Sequence, residues 1–317
     1  AIINIDASLI PSLLVDENEG RLMISDQLIT VNGAITVGEA RSLAASTTGK
    51  VTASITTDTR VSDLTTLRNP GGGNEENEWT ITIDALDATV ATAVQLNTID
   101  AATSVQVNAN AITEISGTYG DITTLYASSG VTGLANEVIT ITDEITVTQA
   151  NAVDALTSGV ITATIGSTRV SDLIGGTSLL DANSNNAYTI SIPTEDAAVS
   201  ASDLNAVNAL TTTPVNLTNV TSITASDLSD LTTLNTNRGE FSNITGIAAI
   251  TVTDNGGGTD SVDYGTLQTI VDNYQTNFNS AAVFSFQSGD TIDIDSSSEL
   301  SAFLTDIGSG ALALTDQ

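Results

Sequence analysis

The sequence predicts an α/β repeat protein, a solenoid of strand-plus-short-helix units with a one-sided parallel sheet and distinct terminal caps. Three observations carry that expectation. The hexapeptide TRVSDL stands at 59–64 and again, letter for letter, at 168–173, an offset of 109 residues. Short runs in which Ile or Val alternates with Thr or Ser recur along the chain. Most of them are followed by a Ser or Thr and then by apolar residues three and four apart, the pattern of a short capped helix.

The repeat extends beyond the hexapeptide. WTITIDALDATV (79–90) aligns with YTISIPTEDAAV (188–199), DITTL (121–125) with DLTTL (230–234), and ITVNGAITVGEARSLAAS (29–46) with ITITDEITVTQANAVDAL (139–156). Self-similarity on this scale marks a modular, repeat-built chain. The expected organisation is an N-terminal cap or assembly segment over 1–28, one copy over 29–138, and a second over 139–249. A partial third copy with a Phe-containing cap follows over 250–317.

In chain order, strands are expected at LITV (28–31), VTASIT (51–56), WTITI (79–83), VQVN (105–108), VITIT (138–142), VITATI (160–165), YTISI (188–192), VNLT (215–218), AITVT (249–253) and AVFSF (282–286). Helices are expected at 146–159, 199–212, 223–234 and 296–308, each opened by a Ser or Thr able to accept from the backbone. Alternation along a strand puts aliphatic side chains on one face and hydroxyls on the other. A sheet covered by helices on both faces would instead read as continuous aliphatic runs. Each unit therefore leaves an apolar face that only a stacked neighbour can bury. The competing architecture is two tandem α/β domains of the repeat length. No Pro- or Gly-rich linker marks a joint near Ile139, which favours continuity.

Charge narrows the function. There are 38 acidic and 7 basic residues, a formal net charge of -31. Nucleic acid needs clustered Lys and Arg to displace its counterions, so it is excluded as a partner. An anionic membrane surface is disfavoured for the same reason. No stretch reaches the roughly 18 apolar residues of a membrane span. The chain opens on Ala1 without a Met, so a removed leader or a longer parent product is expected.

Cys and His are both absent. That removes disulfides, thiolate chemistry, the usual zinc and haem ligands, and the commonest general base. Paired carboxylates could serve a glycosidase, but nothing distinguishes such a pair from a solvated acidic surface, and only Trp79 offers a large sugar-stacking plane. The chain is expected not to be an enzyme.

Calcium is the cofactor to expect. Several strands end on an acid: Asp84, Asp143, Asp254 and Asp295. Stacking would bring such positions into rows, and rows of carboxylates take hard cations. Asp at a strand end also forms turns for purely structural reasons. The densest clusters are DNGGGTDSVDYG (254–265) and DTIDIDSSSE (290–299), giving Asp254, Asp260, Asp263, Asp290, Asp293, Asp295 and Glu299 as candidate ligands, without EF-hand spacing. NPGGGNEENE (69–78) reads as variable surface, and Asn216, Asn219 and Asn243 open N-x-Thr acceptors by composition alone.

The ends supply candidate assembly residues. AIINIDASLIPSLLV has apolar residues without a helical partner in the repeat, so Ile2, Ile3 and Ile5 could belong to a strand lent to another chain. All five Phe lie in the last 77 residues, and Phe284, Phe286 and Phe303 are candidates for an interface, where aromatic anchors dominate.

The phrases ITVTQANAVDALTSGVITATI (145–165), VSASDLNAVNALT (199–211) and YGDITTLYASSGVTGLANEVITITDEITV (119–147) resemble the degenerate repeats of very large surface and secreted proteins of marine unicellular cyanobacteria. The likeness covers roughly residues 29–270, and its motifs are of low complexity. It implies an extracellular or cell-surface location and a structural or adhesive role, and no catalytic residues. The calcium-binding repeats such families carry are absent here.

Together these readings predict a non-enzymatic extracellular structural protein that self-assembles into a surface layer, sheath or filament, with a cell-surface glycan as a further partner. The alternative is an adhesin or phage-appendage arm whose repeats are spacers and whose C-terminal module is the recognition head.

Overall fold

The computed structural model describes residues 1–57, 59–67, 76–84, 90–175, 185–253, 261–286 and 291–314. It is a mixed α/β structure of several small sheets, and every described strand pairing is parallel. Parallel neighbours need a crossover, and short helices supply it here. Contacts divide the chain into two compact units: Ala1–Asp143 with Val153–Ile161, and Glu144–Ala152 with Thr162–Gln317.

The first unit begins β1 (Ile2–Asp6), α1 (Ile10–Asn18), β2 (Leu28–Ile35), α2 (Val37–Ser46), β3 (Val51–Ile55), α3 (Val61–Leu64) and β4 (Glu78–Thr80), with the four strands paired in sequence order. It continues with β5 (Val90–Thr92), α4 (Ala93–Asp100), β6 (Val107–Asn108), β7 (Glu114–Gly117), α5 (Tyr119–Ala127), β8 (Val131–Thr132) and β9 (Val138–Ile145). β5 pairs with β7, β7 with β9, and β6 with β8.

Further along come α6 (Val147–Asp154), β10 (Ile161–Ile165), α7 (Val170–Ile174), β11 (Ala187–Thr189), β12 (Ala198–Ser200), α8 (Ala201–Asn208), β13 (Val215–Asn216), β14 (Ser222–Ser226), α9 (Leu228–Thr236) and β15 (Phe241–Ser242). The chain ends with β16 (Ala249–Val252), β17 (Ser261–Asp263), α10 (Tyr264–Asn277), β18 (Val283–Phe286), β19 (Thr291–Asp293), α11 (Ser297–Ser309) and β20 (Leu312–Ala313). In the second unit β12, β14, β16, β18 and β20 pair in that order, β10 pairs with β11, β13 with β15, and β17 with β19.

The alternation does what the residues dictate. In β10 Ile161, Ala163 and Ile165 are buried while the threonines between them are exposed. Each fully buried aliphatic side chain contributes about 1.5–3 kcal/mol relative to exposure. TRVSDL forms α3 and α7, in which Val61 and Leu64, and Val170 and Leu173, turn inward. The aligned aromatics Trp79 and Tyr188 are both fully buried.

Helix entry follows one pattern in five cases, whereas α1, α3 and α7 carry no side-chain cap. Thr36, Thr92, Thr118, Ser200 and Ser296 each accept from the backbone N–H three residues on, which satisfies a donor the helix itself leaves free. Glu39 and Gln95 return the bond and close capping boxes.

After four helices, α2, α4, α6 and α8, the chain latches onto the previous turn. The Thr47 hydroxyl donates to the Gln27 carbonyl at 2.7 Å and accepts from Gly49 N–H at 3.0 Å. Thr157 repeats both bonds with Glu137 and Gly159, at 2.7 and 2.9 Å. Thr103 and Thr211 donate to the carbonyls of Trp79 and Tyr188, and accept from Val105 and Thr213. A Cβ at Gly49 or Gly159 would collide with the Gln27 or Glu137 carbonyl oxygen, so the glycine admits the neighbouring backbone.

In the first 28 residues, expected as an N-terminal cap or assembly segment, β1 pairs in parallel with β2 of its own chain, from Ile2 opposite Leu28 to Asp6 opposite Asn32, and α1 follows it. Two expectations are corrected. A repeat is more than one strand and one helix: β6, β8, β13 and β15 add a second short ladder ahead of the main strand. WTITI and YTISI are split for the same reason. β4 and β11 end at Thr80 and Thr189, and Thr82 and Ser191 bridge instead to Asn108 and Asn216 of that second ladder.

Candidate functional site

Exposed large apolar side chains gather near both ends of the sequence. Ile2, Leu9, Val15, Leu22 and Met23 are exposed in the first unit, and Leu300, Leu304 and Leu314 in the second. The other five among the described residues are scattered valines, such as Val94 on α4. Single exposed apolar residues need no explanation, whereas grouped ones mark a contact surface.

Each group sits on an element with a free side. Among the described residues β1 pairs with β2 alone and β20 with β18 alone, so each presents an unpaired edge, as β4, β5, β11 and β12 also do in their sheets. Ile2 is 64% exposed, while Ile3 and Ile5 are half-buried. α11 has thirteen residues and buries none of them fully. One stripe carries Phe303, half-buried and edge-on to Tyr264 with ring centroids 5.2 Å apart. Leu300 and Leu304, one turn apart, are exposed. An amphipathic helix covered on part of its apolar surface keeps the rest available.

The aromatic residues of the C-terminal region are otherwise core, which corrects the expectation for Phe284 and Phe286. Phe284 is fully buried and edge-on to Tyr274, which stacks on Phe278 at 4.2 Å; Phe286 is buried on the same face of β18. Trp79 is likewise interior and offers no plane to a sugar.

The candidate calcium ligands are engaged in local structure where they are described. Asp263 and Asp293 face each other across β17 and β19. Asp263 caps α10 by accepting from Thr266 N–H at 2.7 Å, and its hydrogen bonds with Thr266 hold its carboxyl below the usual aspartate range. Glu299 accepts from Asp295 N–H at 2.8 Å, and its own N–H donates to Ser296. Asp254, Asp260 and Asp290 lie outside the described residues. Among the described residues no three acidic side chains converge as a metal site.

One of the four acids expected at strand ends, Asp143, has a role that spacing did not suggest, and Asp196 and Ser226 share it. Asp143 accepts from Tyr119 N–H at 2.8 Å, Asp196 from Val170 N–H at 2.6 Å, and Ser226 from Ala201 N–H at 2.8 Å. In each case a side chain from the following turn caps the first N–H of a helix in the preceding one. The signal was present in sequence as an acid or hydroxyl recurring 24 to 26 residues after a helix start.

One buried carboxylate lies apart from both groups. Glu137, fully buried, accepts from the Tyr126 hydroxyl at 2.7 Å and from Ala135 N–H at 3.1 Å. Burial, and then the Glu137 hydrogen bond, push the Tyr126 hydroxyl far above the ordinary tyrosine value. The pair is a buried structural contact that ties the end of α5 to the approach to β9. Asn216 and Asn219 are also committed, to Ser191 and the Ile192 carbonyl.

A scan against protein-family models and searches of curated proteins and of solved structures returned no match for this chain.

Proposed function

We propose that the protein is a non-enzymatic, extracellular structural protein that assembles with copies of itself into a surface layer, sheath or filament. The observation that carries the reading is the gathering of exposed apolar side chains beside two unpaired strand edges, β1 and β20. Successive strands add on the same side, from β1 to β4 in one unit and from β12 to β20 in the other. β1 therefore exposes the side that elsewhere faces a preceding strand, and β20 the side that faces a following one. Such edges are complementary in a head-to-tail sense, the geometry that yields open polymers. In this reading the successive parallel units form a solenoid whose terminal coils are left open for stacking.

The net charge of -31 opposes association, so cations have to screen it, and calcium is the expected one. In the alternative reading, an adhesin arm, Phe303 on α11 would be the aromatic residue left to the recognition head, since Phe278, Phe284 and Phe286 are buried.

Electron microscopy and light scattering in millimolar calcium, repeated after chelation, test the proposal. Ordered assemblies that dissolve on chelation are expected. Ile2→Lys with Met23→Lys, or Leu300→Lys with Leu304→Lys, should reduce assembly at least tenfold while leaving circular dichroism unchanged. Dispersed single particles in every condition would overturn it.

A further inference from the structure

Cations are scarce in this chain, and the structure commits most of those it describes. Arg21 pairs with Asp16 and Glu19, Lys50 with Glu78 at 2.7 Å, and Arg238 donates to the Asn235 carbonyl. Arg60 also has an interaction. Arg41 and Arg169 are exposed, and neither guanidinium has a partner among the described residues.

Both of these arginines line a polar groove, one in each unit. In the first unit Arg41, Thr36, Thr56, Thr59, Asp63 and Thr66 line a groove of about 390 Å³. In the second, Arg169, Ser167, Thr168, Asp172 and Glu195 line one of about 320 Å³. Each groove thus sets one uncommitted guanidinium beside the threonine and aspartate of one TRVSDL copy. The grooves open on different sides of that turn, toward α2 in the first copy and toward Glu195 in the second. Packing explains the motif's Val and Leu, which are buried, but engages neither Asp63 nor Asp172 through its carboxylate.

We propose that these two grooves bind an acidic oligosaccharide, with the guanidinium on its sulfate or carboxylate group and the aspartate and threonines on its hydroxyls. A guanidinium offers paired donors to a planar or tetrahedral anion. The carboxylate accepts from sugar hydroxyls, and threonine serves as donor or acceptor. Volumes of this size fall in the range of small-molecule sites and exceed what a lone inorganic anion fills. The first groove sets one carboxylate, Asp63, beside Arg41, and the second sets Asp172 and Glu195 beside Arg169, so neither groove is net positive and the guanidinium holds the anion through its paired hydrogen bonds rather than through the charge of the groove. The grooves make no use of β1, β20 or α11, so this inference stands or falls independently of self-assembly.

The test is calorimetric titration of the full chain with a sulfated galactan tetrasaccharide, a galacturonate tetrasaccharide, neutral maltotetraose and inorganic sulfate. The expected result is two sites per chain for at least one acidic sugar, and the preferred one identifies the anionic group. Affinity should fall with added salt, and maltotetraose and sulfate should bind at least tenfold more weakly. Arg41→Ala or Arg169→Ala should lower the stoichiometry from two to one, and the double variant should abolish binding with circular dichroism unchanged. No binding by either acidic sugar, undiminished binding by the double variant, or sulfate binding as tightly as the sugars would overturn the proposal.

Discussion

At the residue scale, the glycine of the Thr-Ser-Gly and Thr-Thr-Gly turns shows how little room separates one turn from the next. Gly159 follows Thr157, whose hydroxyl is shared between the Glu137 carbonyl and the Gly159 N–H. A methyl group there would overlap the same carbonyl oxygen, and backbone cannot swing aside as a flexible side chain can. Gly159→Ala should cost about 1 to 3 kcal/mol, the usual penalty of forced overpacking. Denaturant unfolding followed by circular dichroism measures it. Gly38→Ala is the control, because a Cβ at Gly38 meets only the Thr36 hydroxyl at an ordinary 3.8 Å. Where the third position is not glycine, as at Val105 and Thr213, the Thr103 and Thr211 latches are kept on a different local path.

At the element scale, short helices are held by caps, several of which come from the next turn. A helix as short as α5 is marginal alone, so each satisfied end carries weight. Asp143→Ala removes the acceptor of Tyr119 N–H while leaving the helix's own cap, Thr118, in place. The expected loss is about 1 kcal/mol, with faster amide exchange at Tyr119 as its local signature. Most helix starts were legible in sequence because a hydroxyl or carboxylate three residues ahead of a polar partner is a local pattern: 146–159, 199–212 and 296–308 appear as α6, α8 and α11 with starts within two residues, whereas the first four residues of 223–234 belong to β14 and α9 starts only at Leu228 and runs to Thr236. The strands with the longest alternation, such as VITATI, were legible too. The second ladder was legible in part: VQVN and VNLT contain β6 and β13, whereas their two-residue partners β8 and β15 exist only through that pairing and carry no period of their own. A Phe reads alike in a core and on an interface, and Phe284 and Phe286 proved to be core, while Ile2 is exposed.

At the scale of the whole molecule, the excess of carboxylates works against the compact state, and Asp230 reports on it. Burial first, and then the charges of Asp227 and Asp203, raise its carboxyl above the ordinary aspartate value. A carboxyl raised on folding favours the native state at pH below its unfolded value, and that benefit is lost as pH rises through the folded one. At neutral pH the charged form is therefore a standing cost. Asp230→Asn should melt higher than the native chain at pH 7 in low salt, by a degree or so on the order expected for a partly exposed site. The gap should narrow in high salt, which screens Asp227 and Asp203, and vanish in acid. A variant that melts lower at pH 7 would assign Asp230 a stabilising contact instead.

The threonine latches carry a last consequence, for the time at which the chain can fold. Thr47 to Gln27, Thr103 to Trp79, Thr157 to Glu137 and Thr211 to Tyr188 each close a loop of 20 to 24 residues. Contacts this near in sequence are reached quickly, and none of these has to wait for a remote segment to be made. A chain leaving the ribosome can therefore add each turn to the one before it as soon as some two dozen residues emerge.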